Sequence, residues 1–98
     1  MGDGTRRMFR YEVGIGGGWQ HELTGDPVHV ASSTTPLAVE FWAEHDEAAQ
    51  AAKRTFQVFG TGHPLPRNAR YVGTCPRTAD GLVWHLYELI SDEGDCDG

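Results

Sequence analysis

Apolar side chains in this chain recur at every second position, in runs of five to nine residues, and each run ends at glycine, proline or a small polar cluster. A period of two sends alternate side chains to opposite faces of an extended strand, whereas an amphipathic helix needs a period near 3.6. The chain is thereby restricted to short strands joined by turns. Phe9, Tyr11 and Val13 alternate with Arg10 and Glu12. Further strands are expected over 19–23, 28–32, 37–44, 55–59, 69–74 and 82–90. Over 37–44, Val39, Phe41 and Ala43 share one face, and Glu40, Trp42 and Glu44 the other. The last run is apolar on both faces, which suits a central strand or an interface.

One segment departs from the pattern. Asp46 to Arg54 holds four alanines, with acids first and bases last. That order suits a helix dipole, and a short helix is expected there, although nine residues are marginal alone. The expected fold is mostly β: a small antiparallel β-sandwich or partly open barrel of about seven short strands with one short helix.

At 98 residues the chain makes a single domain over 1–98. Its core is expected over about 7–90, with flexible termini at 1–6 and 91–98. Fourteen acids oppose eight bases, and four of those acids lie in the tail from Asp92 to Asp97. An acidic chain without clustered cations is a poor general binder of nucleic acid. No apolar run reaches the length of a membrane span. Cys75 and Cys96 lack metal-ligand spacing, so free thiols and a cytoplasmic location are expected.

The segments Phe56–Pro66, with Gly60-Thr61-Gly62-His63-Pro64 inside it, Tyr71–Thr74 and Leu82–Leu89 together carry a resemblance. The chain resembles small proteins of tailed bacteriophages and prophages, grouped as a domain of unknown function, that share a G-T-G-H-P loop and a terminal L-V-W-H-x-[FY]-E strand. The resemblance covers roughly residues 8–89. It implies a phage accessory protein and brings no catalytic residues with it.

Read from the residues, the Gly60–Pro64 loop is the foremost candidate for chemistry. Two glycines let backbone amides approach a ligand, and such turns form anion-binding nests. Thr61 and His63 add side-chain donors there, and Arg70, a little downstream, is expected to reach back as a phosphate partner. The alternative is a tight structural turn whose exit is set by Pro64 and Pro66. His85 is expected on an outer stripe with Val83 and Tyr87. The ligand-binding set is thus Gly60, Thr61, Gly62, His63, Arg70 and His85, and Trp42 and Tyr87 are candidate protein-contact residues. Glu40, Glu44 and Glu88 are read as ordinary strand-face glutamates. His21, His29, His45, His63 and His85 show no paired spacing, and no metal, cofactor or catalytic residue is assigned.

These features point to a non-enzymatic phage accessory protein in the host cytoplasm. It would block a host protein or sequester a small anionic, nucleotide-like molecule, and would do so as a homo-oligomer with pockets at subunit junctions. The alternatives are a structural or morphogenetic virion protein adding by strand pairing, and a small hydrolase using histidines and carboxylates.

Overall fold

A computed structural model describes residues 5–33, 38–75 and 81–90. The tetrapeptide before β4, most of the Cys75–Gly81 turn and the acidic tail with Cys96 lie outside the described residues.

Seven strands form: β1 (Arg6–Gly14), β2 (Trp19–Leu23), β3 (Pro27–Ser32), β4 (Ala38–Asp46), β5 (Ala52–Gly60), β6 (Ala69–Thr74) and β7 (Trp84–Leu89). They build two separate sheets, one in the order β1-β4-β3 and the other β2-β5-β7-β6. Every pairing is antiparallel. The chain crosses between the sheets after β1, after β2 and after β4, and the result is a sandwich rather than a closed barrel.

The alternation read in the sequence places the core. Val39, Phe41 and Ala43 of β4 point inward and are fully buried, as are Val13 of β1, Phe56 of β5 and Leu86 of β7. Phe41 and Phe56 meet across the two sheets with ring centroids 4.8 Å apart. Tyr11 stacks on the Phe41 ring at 5.0 Å, and burial raises its phenol above the ordinary value. Cys75 is also buried in this core, which pushes its thiol up, opposed by a hydrogen bond with Ser32.

Among the described residues there is no helix, and the expected one over Asp46–Arg54 is replaced by a turn and the start of β5. The Ala49 amide donates to the Asp46 carbonyl at 3.0 Å, and the Ala48 amide to Asp46 Oδ1 at 2.9 Å. Beyond Gln50 the chain has crossed to the second sheet, where Ala52, Lys53 and Arg54 pair with Leu23, Glu22 and His21 of β2. A full set of inter-strand bonds outweighs the weak helix propensity of so short an alanine run.

Two of the strands carry irregularities in register. One lies in β3 between Pro27 and His29, the other in β6 between Tyr71 and Gly73. At the second, Gly73 lies against Val30 of β3: a Cβ built on Gly73 would come within 2.6 Å of Val30 Cγ2. β3 and β6 thus close one side of the sandwich through a glycine–valine contact. Gly73→Ala is expected to destabilise the protein by about 1–3 kcal/mol, the range for overpacking. Val30→Ala in the same chain should recover part of that loss, read as coupling in a denaturant-unfolding double-mutant cycle.

Candidate functional site

The Gly60–His63 turn follows directly on β5. The His63 amide donates to the Gly60 carbonyl at 3.1 Å, and Gly62 in the third position has φ +90°. A type II turn demands that left-handed conformation at its third residue, and glycine adopts it without steric cost. The His63 ring folds back so that the Gly60 amide donates to its Nδ1 at 3.2 Å. An imidazole that accepts at Nδ1 carries its proton at Nε2 when neutral, so exposed His63 presents an N–H donor outward. The amides of Thr61 and Gly62 take no part in the turn's own hydrogen bond.

Across the outer face of the second sheet runs a line of hydrogen-bonded side chains. Thr61 Oγ1 lies 2.8 Å from His85 Nε2. Thr74 Oγ1 lies 3.0 Å from His85 Nδ1, and the Tyr71 hydroxyl 2.6 Å from Thr74 Oγ1. Neutral imidazole has one donor and one acceptor nitrogen. The line therefore has two senses, with Thr61 donating to Nε2 and Nδ1–H to Thr74, or the reverse. The row beside it is aromatic: Tyr87 packs edge-on against both Phe59 and Tyr71, each at 5.6 Å.

Two hollows flank the turn. One, of about 320 Å³, is lined by Gly60, Thr61, His63 and the segment Gly81–Trp84. The other, of about 160 Å³, lies over Phe59, His85 and Tyr87, under Leu65. Thr61 and His63 line both. The structure thus brings together Gly60, Thr61, Gly62, His63 and His85 of the expected set, with Tyr87 beside them.

Arg70 is not among them. It pairs with Glu88, four positions along β7 from the Trp84 that faces Gly60, which is roughly 13 Å at 3.3 Å per residue. Its guanidinium Nη2 donates to Glu88 Oε1 at 2.7 Å, so a reach back to the turn is replaced by an ion pair. Trp42 and Tyr87 also separate. Trp42 is half-buried on the outer face of the first sheet, tilted against His29 at 5.5 Å, so the two aromatics open onto opposite sides of the sandwich.

The remaining histidines have structural partners. His21 Nε2–H donates to the Glu12 carbonyl at 2.8 Å, its ring edge-on to the stacked Tyr11 and Phe41 rings, and His45 stacks on Phe9 at 5.5 Å. Among the described residues, no three His, Cys, Asp or Glu side chains converge as a metal site, and no helix is long and apolar enough to cross a membrane.

Two glutamates read as ordinary strand-face residues are buried. Glu40 accepts from Arg10 Nη1 at 2.7 Å. Glu88 points inward from β7 and takes both arms of Arg54, Nε and Nη2, at 2.8 Å each, in addition to Arg70. Burial alone would raise the Glu88 carboxyl; the hydrogen bonds and charges of Arg54 and Arg70 overturn this and hold it below its ordinary value. The hydrogen bonds that Arg54 donates to Glu88 lead in raising Arg54, against burial. The inward phase of β7, with Trp84, Leu86 and Glu88 alternating, was the available signal: a glutamate in phase with core residues requires a buried cation.

The fold and site together define a small antiparallel β-sandwich with a hydroxyl–imidazole line beside a glycine turn. A family model described as "Domain of unknown function (DUF7352)" matches residues 4–95, and the chain belongs to that family. No match to the chain was found among curated proteins, and none among solved structures.

Because the folded Glu88 carboxyl is depressed, the stability it contributes is present above the ordinary value of about 4.3. It is lost as pH falls from there through the lower folded value. Glu88→Gln is expected to cost about 3–5 kcal/mol at pH 7, as for breaking a buried pair. The gap to the unaltered protein should narrow below about pH 4, measured by urea unfolding across pH.

Proposed function

We propose that this protein is a non-enzymatic binding protein that captures a small phosphate-bearing aromatic molecule, nucleotide-like in its chemistry, at the Gly60–His63 turn. The observation that carries this reading is the turn itself, where Thr61 and His63 line both a hollow beside Trp84 and, on the other face of β7, a hollow over His85 and Tyr87. The Thr61 and Gly62 amides and the His63 Nε2–H supply donors for phosphate oxygens. Trp84 in one hollow, or Tyr87 in the other, offers apolar ring surface for a planar base. The reading needs no carboxylate beside a histidine, which a hydrolase would. Glu88 leaves β7 on the face opposite His85 and is engaged by two arginines.

The setting we propose is a phage protein withdrawing such a molecule inside its bacterial host. The Gly60–Pro64 and Leu82–Glu88 motifs support that setting through their resemblance to phage proteins. The version in which the chain blocks a host protein through Trp42 and Tyr87 has less support, since those side chains lie on opposite faces.

Native mass spectrometry of gently purified protein, followed by calorimetric titration with the nucleoside monophosphates, tests the reading. Saturable binding is expected with at least one of them. Thr61→Ala and His63→Ala should each weaken it at least tenfold, or about 1.4 kcal/mol. Absence of saturable heat with all four, or binding indifferent to both substitutions, would overturn it.

A further inference from the structure

We infer a second binding site, independent of the turn, in which Arg54 and Arg70 hold the phosphate group of a monoester and Asp26 acts as a built-in competitor. It lies near the Leu89 end of β7, in a cavity of about 210 Å³ lined by Asp26, Pro27, Arg54, Arg70, Tyr71, Val72 and Glu88. At about 30 Å³ per water, that volume accommodates an oxyanion with several remaining waters.

The charge balance is the starting point. Glu88 is buried, and the bidentate fork of Arg54 already matches its single negative charge. Arg70 then converges on Glu88 Oε1, the oxygen that Arg54 Nη2 also holds. Two guanidinium groups thus share one buried carboxylate, and the trio carries one surplus positive charge. The other acid lining the cavity is Asp26, whose side chain is 81% exposed and touches Arg54 Nη2 through one oxygen at 2.9 Å. A carboxylate so exposed is held weakly. It occupies the place a ligand oxygen would take.

Geometry favours a phosphate oxyanion. Arg54 comes from β5 and Arg70 from β6, and Glu88 between them orients both. Arg54 is largely buried, and its Nη1 donates to the Gly25 carbonyl at 3.4 Å, which fixes its plane. The Arg70 side chain is 61% exposed and spends one of its five N–H groups on Glu88, leaving the outer part of its fork toward the cavity. Donors arriving from two strands suit a tetrahedral oxyanion with several acceptor oxygens. Pro27 and Val72 line the same cavity and form the wall on which an ester's organic part would rest.

The test is calorimetric titration of the full chain with inorganic phosphate and, separately, phenyl phosphate, at constant ionic strength set with chloride. Saturable binding of both is expected, phenyl phosphate at least as tight as phosphate. Arg70→Ala, which leaves the Arg54–Glu88 pair in place, should weaken binding at least tenfold. Asp26→Asn, a surface change that removes the competitor, should tighten it severalfold, and Arg6→Ala, which removes an exposed charge on the other sheet, should leave it unchanged. Lack of saturable phosphate binding would overturn the inference. So would an Asp26→Asn variant with unchanged or weaker affinity, or binding lost in Thr61→Ala but kept in Arg70→Ala, which would place the phosphate on the turn. Binding of phosphate without phenyl phosphate would overturn the monoester assignment.

Discussion

The contact between Phe41 and Phe56 is the interaction on which the other parts depend. Phe41 lies on β4, the middle strand of one sheet, and Phe56 on β5, an inner strand of the other. Once these two rings meet, the inward phase of both strands is set. The direct cross-strand partners of each follow, because residues opposite one another in an antiparallel ladder share a face. Tyr11 and Val30 are brought inward as partners of Phe41, and Glu88 as the partner of Phe56. The outer faces are defined by the same step. His85 and Tyr87 are turned away from the core because Leu86 is turned into it.

That geometry also explains why a thin sandwich tolerates carboxylates with almost no solvent exposure. Both Glu40 and Glu88 lie on strands with a neighbour on each side, so flanking chains exclude water from them. Leaving either charge unpaired would cost several kcal/mol. Arg10 meets one, and Arg54 with Arg70 meets the other. At Glu88 the network also ties the loop between β2 and β3, through Asp26 and Gly25, to β5, β6 and β7.

The strands were legible in the sequence because period-two alternation and turn residues are local signals, and residues such as Val39, Phe41 and Ala43 announce their face by spacing alone. The Asp46–Arg54 segment departs from its local signal for the same reason: local propensity favours a helix, while its structure is decided by β2, a strand distant in sequence. At the turn, Gly60, Thr61, Gly62 and His63 were visible as neighbours, and His85 followed from the phase of the last strand. Thr74 and Tyr71 were not, since joining His85 requires knowing which strand lies beside β7 and in what register. Arg70 was drawn toward the turn by proximity in sequence, whereas the nearer attraction was Glu88 on the neighbouring strand.

The irregularity in β6 can be viewed as a change of phase within one strand. In a regular strand Arg70, Val72 and Thr74 would all face the same way. The additional residue between Tyr71 and Gly73 resets the alternation, so that Arg70 faces Glu88 inside while Thr74 and Tyr71 both face His85's side outside. A six-residue strand thereby contributes to two chemically different neighbourhoods that strict alternation would keep from coexisting. Paired residue for residue without the irregularity, the same five positions could keep Arg70 with Glu88 or Thr74 with His85 in register, but not both.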